Sequence, residues 1–474
     1  MLLEINNLEK SYGTRTVVSL KRLALYGGDK LAVVGKNGAG KTTLLKLIAG
    51  EEEPDAGRVS VRGQLGVIAQ FDTPDDENAH SGGEKTSALI ARAFEQNPDI
   101  LVADEPTTNL DLPGIERLEG ALMAFDGALL LVSHDRVLLG SVCTKVLEIE
   151  NGCCTLYGCG YEDYLAQKQL EKASQAARYD AYAEEAGRLK KVAEEKARQS
   201  AGVKKAPKRM GNSEARLHKM GGQSQKAKLD RAAKAARSRL DHLERVEKPW
   251  QDRDIAFDLR ATAIHSPVLV DVRGVSERFG SRVVLNDVRF VIPNGRKTAL
   301  VGANGAGKTT LLELIAARAE GVEPCAHLRI GYFKQDLSTL DSQKSVIENA
   351  MDGAAYPETF VRTILARLLF RRDAVHQKAA TLSGGERLKL ALARIILSGF
   401  HLLVLDEPTN FLDAESRSAL EAVLCAYPGA VLFVSHDRAF LRAVADRVVL
   451  ISDGRAQTYE DGFEAFEQLH KQNG

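Results

Sequence analysis

No uncharged apolar run in this chain approaches the roughly 18 to 20 residues a helix needs to cross a bilayer, which argues against an integral membrane protein. The N-terminus, MLLEINNLEK, carries acids where a secretory leader has its apolar core, so a cytoplasmic protein is expected. Cysteine is sparse: Cys143, Cys153, Cys154, Cys159, Cys325 and Cys425 form no CxxC pair and have no neighbouring His. That pattern excludes a sequence-local zinc or thioredoxin-like motif, and reduced thiols are expected. Aromatics make up 6% with a single Trp, and no RRM, KH or zinc-finger pattern is present. With 474 residues, 44% hydrophobic and 27% charged, the chain reads as soluble and globular, with two or three domains.

The zero net charge conceals a segregation. Residues 168–248 hold 22 Lys and Arg against 11 Asp and Glu, and the rest of the chain carries the opposite excess. One internal segment is strongly basic.

On either side of it the sequence repeats. Gly35, Lys36, Asn37, Gly38, Ala39, Gly40, Lys41, Thr42 and Thr43 spell GKNGAGKTT. Gly302, Ala303, Asn304, Gly305, Ala306, Gly307, Lys308, Thr309 and Thr310 spell GANGAGKTT. Each follows a β-branched apolar run and precedes a helix-period stretch, the context that a phosphate-binding P-loop requires. Glycines let backbone N–H groups face the phosphates, Lys41 or Lys308 reaches the β- and γ-phosphates, and the Thr42 or Thr309 hydroxyl suits Mg²⁺. ILVADEP and LLVLDEP are apolar strands ending in paired acids, with Asp104 or Asp406 suited to Mg²⁺ and Glu105 or Glu407 to orienting the attacking water. SGGE, at Ser81, Gly82, Gly83 and Glu84 and again at Ser383, Gly384, Gly385 and Glu386, opens a helix whose bare N–H groups attract anions.

Spacing makes the repeat quantitative. The signature Ser precedes the strand-ending Asp by 23 residues in both copies, and that Asp precedes His134 or His436 by 30 in both. From the P-loop Lys to Gln70 or Gln335 the intervals are 29 and 27. Only the step from that Gln to the signature Ser diverges, at 11 and 48.

These motifs, in this order, resemble the ATP-binding cassette proteins over most of the chain outside the basic segment. The resemblance implies two P-loop cassettes pairing head to tail within a monomer. Lys41 would share its ATP with Ser383 to Glu386, and Lys308 with Ser81 to Glu84. It further implies adenine stacking on Tyr12 and Phe279, and Mg²⁺ held by Thr42, Gln70 and Asp104 at one site and Thr309, Gln335 and Asp406 at the other. Glu105 with His134 and Glu407 with His436 would be catalytic, giving two hydrolysis-competent sites. The choice of ATP over GTP also rests on the resemblance. One departure is His80, where Leu382 stands in the second copy; it leaves the anion-binding Ser and glycines in place.

Cassettes that drive membrane transport grip their partners through a helical insert between the Gln and the signature. The first copy has no room for one, while the second has room for two or three helices, with ENAMDG and TFVRTILARLLF as candidates. This disfavours a peripheral ATPase of a transporter. The basic segment supplies the better clue. Tyr179, Tyr182, Ala186, Leu189 and Ala193 recur at spacings of 3 and 4, as do Leu229, Ala233, Ala236, Leu240 and Leu243. Between these seams lies a Gly-rich stretch with Pro207, after which Asn212 or Ser213 offers an N-cap. The pattern predicts a helical hairpin, an antiparallel coiled coil with arms of about 30 residues and a basic tip near 200–222, closed by Pro249 and Trp250. Residues 186–240 carry 17 basic and 4 acidic side chains, the footprint of a polyanion read by shape and backbone.

Two cassettes, no transmembrane part and a basic helical hairpin between them resemble the ABC-F class of translation factors. The expected fold is α/β, with cassettes at 1–166 and 251–474 in tandem, joined by the α-helical hairpin at 167–250. The resemblance implies entry into the ribosomal E site in the ATP-closed state, with the hairpin reaching P-site tRNA and the peptidyl transferase centre. It also implies rRNA and tRNA phosphate contacts from Lys204, Lys205, Lys208, Arg209, Arg216 and Lys219, with Met210, Leu217 and Met220 packing the tip or pressing on the ribosomal core. The short first insert and the tip look like the branch that protects ribosomes from antibiotics. A housekeeping factor relieving stalled ribosomes has the same layout, and a DNA-associated cassette ATPase is a third reading, disfavoured because such machines use far longer coiled coils.

Overall fold

The computed structural model describes residues 1–69, 82–202, 212–244, 246, 264–334 and 340–473; for 82, 212–223 and 471–473 the description is of the backbone. The chain divides into two compact units, Met1–Glu162 with Asp254–Gly474, and Asp163–Arg253.

In the first unit, the two copies of the repeat order their strands alike. From edge to edge the first copy orders its strands as Ala56–Val61, Leu3–Tyr12, Arg15–Leu25, Cys153–Tyr157, Lys145–Glu150, Lys30–Gly35, Ala128–Val132, Ile100–Asp104 and Leu65–Ile68. The four strands from Lys30–Gly35 to Leu65–Ile68 run parallel. Ile100–Asp104 and Ala128–Val132 are buried along their whole length, as central parallel strands covered on both faces must be, which is why they read as unbroken apolar runs.

The second copy repeats this order in two sheets. Arg282–Pro293, Val268–Phe279 and Val322–Pro324 form one. Ile330–Phe333, Leu402–Asp406, Ala430–Val434, Lys297–Gly302, Arg447–Ser452 and Arg455–Tyr459 form the other. In both copies the P-loop strand lies between the strand before His134 or His436 and the closing antiparallel hairpin, so the P-loop, the Asp–Glu pair and the His leave the same sheet edge. That edge, at the carboxyl ends of parallel strands, is where an open α/β sheet binds its ligand.

The insert of the second copy folds into helices Val346–Met351 and Glu358–Arg367 and two short 3₁₀ turns, matching the stretches singled out by pattern. Val361, Ile364, Leu365 and Leu368 bury one face of the insert against Leu388, Leu392 and Ile396 of helix Gly384–Leu397.

Helices Tyr161–Ala201 and Asn212–Asp241 form the hairpin of the second unit. Leu189, Ala193, Ala233 and Ala236 are buried along the two expected seams, and Tyr179, Tyr182, Ala186, Leu229, Leu240 and Leu243 are partly buried. Ser200 donates to Asp230 across the pair, and Glu185, farther back on the first helix, feels the charge of Arg239, farther along the second. The helices therefore run antiparallel. The first is longer than the expected arm of about 30 residues: it has 41, because no Pro or Gly interrupts it between Tyr161 and the seam, and Gly187, within the seam, is its only glycine. Arg216 and Lys219 lie on the second helix; Lys204, Lys205, Lys208, Arg209 and Met210, like Pro249 and Trp250, lie outside the described residues. Among the described residues no helix is long and apolar enough to cross a membrane.

Candidate active site

Each P-loop leaves its strand and turns into a helix, Lys41–Ala49 or Lys308–Ala317, through a glycine that no other residue can replace without strain. Gly40 has φ +108°, and a Cβ there would stand 2.6 Å from Val17 Cγ1 and 2.7 Å from Val17 O. Gly307 has φ +93° and would meet Val284 Cγ1 at 2.7 Å. The loops wrap their own lysines. Lys41 Nζ donates to the carbonyls of Gly35 at 2.8 Å and Lys36 at 3.1 Å, and Lys308 Nζ to those of Gly302 at 2.8 Å and Ala303 at 2.9 Å. Burial pushes both ammonium pKa values down, while Glu105 and Asp104 at one site and Glu407 and Asp406 at the other oppose it.

Thr42 Oγ1 donates to Asp104 Oδ2 at 2.8 Å, and Thr309 bonds Asp406 in the same way. Burial raises the pKa of both aspartates, and the threonine hydroxyls hold them back. A hydroxyl and a carboxylate at this range are hard oxygen donors of the kind Mg²⁺ takes. Gln70 and Gln335 lie outside the described residues.

Beside each aspartate, Glu105 and Glu407 sit at φ +48° and +47°, a left-handed backbone that is strained for glutamate. His134 Nε2 lies 3.3 Å from Glu105 Oε1 and its backbone N–H donates to Oε2 at 3.1 Å; His436 Nε2 lies 3.3 Å from Glu407 Oε1. Burial pushes both glutamates up to about 7. Burial likewise pushes His134 down to about 3 and His436 to about 4, so both imidazoles are neutral and the contacts are not ion pairs. Among the described residues, Oε1 of each glutamate is buried with no hydrogen-bond partner, the His nitrogen being poorly aligned to donate. A buried carboxylate with a pKa raised to about 7 beside a P-loop has the chemistry of a general base.

The two copies meet along these loops. Asn304 N donates to Asp111 Oδ2 at 3.0 Å, and its Nδ2 to Asn109 O at 2.8 Å. Gly83 packs so closely there that a Cβ would stand 2.5 Å from Asn304 Nδ2. The first signature loop therefore abuts the second P-loop. At the other junction Lys36 pairs with Glu415 at 2.8 Å. A cavity of about 1270 Å³ runs through both P-loops, with Lys41, Glu105, Gly83, Lys308 and Glu407 on its walls. Tyr12 and Phe279 line it at 50% and 59% exposure, open to a stacking base. Gly302, Ala303 and Ala306 instead face a separate cavity of about 440 Å³.

Ser383 is engaged differently from an anion-binding Ser. It caps helix Gly384–Leu397 reciprocally with Glu386, whose Oε2 accepts from the Ser383 hydroxyl at 2.8 Å and from its backbone N–H at 2.9 Å. Ser81 lies outside the described residues, and its helix starts at Gly82.

Sequence reasoning missed a set of arginines between the copies. Arg438, 3% exposed, reaches Glu119 at 2.6 Å and Asp135 at 3.3 Å; Arg136 reaches Ser418 and, at 3.7 Å, Glu421. Both follow His134 or His436 in the repeated SHDR, so the repeat itself held the signal. Arg417 has no counterpart in the first copy and left none.

A model of the "ABC transporter" family matches residues 20–78 and 285–410. The chain is 32% identical over 456 residues to an erythromycin resistance ATP-binding protein, MsrA, of Staphylococcus epidermidis, spanning 91% of this chain and 93% of that one. It is 29% identical to the ribosome protection protein VmlR of Bacillus subtilis, spanning 95% and 87%. It is also similar to ABC transporter F family member 2 of Arabidopsis thaliana, at 27% identity over 98% of this chain and 78% of that one. With both nucleotide-binding halves of the repeat folded and facing each other, and with a relative matched nearly end to end, the chain belongs to the ABC-F class of ATP-binding cassette ATPases.

Proposed function

We propose that this ATPase binds the ribosome with its cassettes closed on two ATP molecules, and that its hairpin acts on the P-site tRNA and peptidyl transferase centre to protect the ribosome from bound antibiotics. The observation that carries this reading is a cassette pair joined by a basic antiparallel hairpin, in a chain whose relatives at full length include proteins named for erythromycin resistance and ribosome protection.

Each ATP would lie between the P-loop of one cassette and the signature helix of the other: Lys41 with Ser383 to Glu386, and Lys308 with Ser81 to Glu84. The helix N-termini and P-loop N–H groups would bind the phosphates. Tyr12 and Phe279 would stack on adenine. Mg²⁺, held by Thr42, Asp104 and Gln70 or by Thr309, Asp406 and Gln335, would neutralise charge on the phosphates. Glu105 or Glu407 would accept the proton of the attacking water, and neutral His134 or His436, in contact with that carboxylate, would fix its direction. ADP and phosphate then leave, the pair opens and the protein is released. Lys204, Lys205, Lys208, Arg209, Arg216 and Lys219 would meet RNA phosphates, which contribute affinity that falls with salt.

Expression in a drug-sensitive host, followed by inhibitory-concentration tests on macrolides, lincosamides, pleuromutilins, streptogramins and phenicols, tests the protective role. A rise for at least one class, lost when Glu105 and Glu407 are both Gln, is expected. Unchanged sensitivity to every class overturns protection and leaves relief of stalled ribosomes as the function.

A further inference from the structure

The two halves diverge four residues after the aspartate that ends each interface loop. Asp111 is followed at that distance by Ile115, and Asp413 by Arg417. Ile115 is 2% exposed, an apolar side chain with nothing to donate. Arg417 is held from its own cassette, donating through Nε to Leu412 O at 2.9 Å and through Nη1 to Asp437 Oδ2 at 2.8 Å. Asp437 is itself fixed, since its other carboxylate oxygen caps helix Arg438–Val444. From this anchor Nη1 of Arg417 also reaches across to the carbonyl of His134, at 3.4 Å.

Arg438 of the same cassette contacts Asp135, the next residue on that loop. The loop bearing His134 is thus gripped by two guanidinium groups from the opposite cassette. Arg136, the counterpart of Arg438, bonds instead to the helix Ala414–Ala426, through Ala414 O at 3.3 Å and the Ser418 hydroxyl. Asp437, the counterpart of Asp135, is occupied by Arg417 of its own cassette.

We infer that Arg417 is a positioning residue supplied in trans, which holds the His134 loop against Glu105 and makes hydrolysis at the Lys41 site, and not at the Lys308 site, depend on it. The inference rests on the reading of Glu105 and Glu407 as the two catalytic carboxylates. A planar fork tied at three carbonyl or carboxylate oxygens sets a direction that an ammonium sets less well and an apolar side chain not at all.

Single-turnover ATP hydrolysis by the full-length protein tests this, with E407Q isolating the Lys41 site and E105Q the Lys308 site. R417I in the E407Q background is expected to lower the hydrolysis rate about tenfold with ATP affinity changed less than about twofold, and in the E105Q background to change the rate less than about twofold. R417K should recover part of the lost rate, since it keeps the charge and loses the fork. An equal loss in both backgrounds, a loss of ATP affinity alone, or complete loss of hydrolysis in either single Gln variant before Arg417 is changed overturns the inference. The catalytic reading fails by a different sign: full hydrolysis persisting in the double variant E105Q/E407Q.

Discussion

The two nucleotide sites share their internal chemistry and differ in what reaches them from the opposite cassette. Within each cassette the distances repeat almost atom for atom: Lys on two loop carbonyls, Thr on Asp, Glu 3.3 Å from a neutral His. Across the interface they do not. The second P-loop receives Asp111 and Asn109 on Asn304, whereas the first offers Lys36 to Glu415. At the place of Asn109 the second copy has Phe411, 68% exposed. Duplication preserves what one cassette needs for itself, and the contacts between cassettes are free to drift apart. If the cassettes close on two ATP molecules as proposed, the protein thereby has a means of treating them unequally.

The largest effect should come from what the sites share. Replacing Glu105 and Glu407 by Gln together removes both proposed bases, and steady-state phosphate release should fall about 10²- to 10⁴-fold with ATP binding retained. Next come the bridges between cassettes, which are unequal. Arg438→Met strands a buried carboxylate, Asp135, and should cost about 3 to 5 kcal/mol in denaturant unfolding. Arg136→Met removes a more exposed partner of Glu421 and should cost about 1 kcal/mol or less. Comparable losses would mean that the two bridges are equivalent after all.

The P-loops themselves offer a finer comparison. At Gly40 an added Cβ meets a backbone oxygen of Val17, which cannot rotate away, whereas at Gly307 it meets only side-chain carbons of Val284 and Leu285. Gly40→Ala should therefore weaken nucleotide binding at its site more than Gly307→Ala does, by about tenfold against a few-fold in fluorescent-nucleotide titrations. The smallest effect belongs to the hairpin. Ser200→Ala removes the hydrogen bond to Asp230 and should lower protection in hydrogen exchange by about 1 kcal/mol within the hairpin, leaving the cassettes unchanged.

What could be read from the sequence follows the range of the interactions. The P-loops, the Thr and Asp that pair, and the Glu and His that touch lie on consecutive β–α units of one sheet. A fixed interval along the chain therefore becomes a fixed place at the sheet edge, and the equal spacings in the two copies were enough to find them. The hairpin was legible for a similar reason, its seams recurring at helical spacing. The pairings of Arg417 and Asn304 across the cassettes were not legible. Their partners, His134 and Asp111, lie 283 and 193 residues away in the chain, and no local pattern marks such a pairing. SGGE carried two meanings, a helix start that attracts anions and a capping box. In this structure the Ser383 hydroxyl serves the second.

The central claim, a ribosome-binding ATPase that grips in its ATP-bound state, is tested most directly by sedimentation of the E105Q/E407Q protein with 70S ribosomes at physiological salt. The account predicts that the variant pellets with ribosomes in ATP and stays in the supernatant in ADP. A variant that binds ATP yet fails to pellet with ribosomes contradicts it.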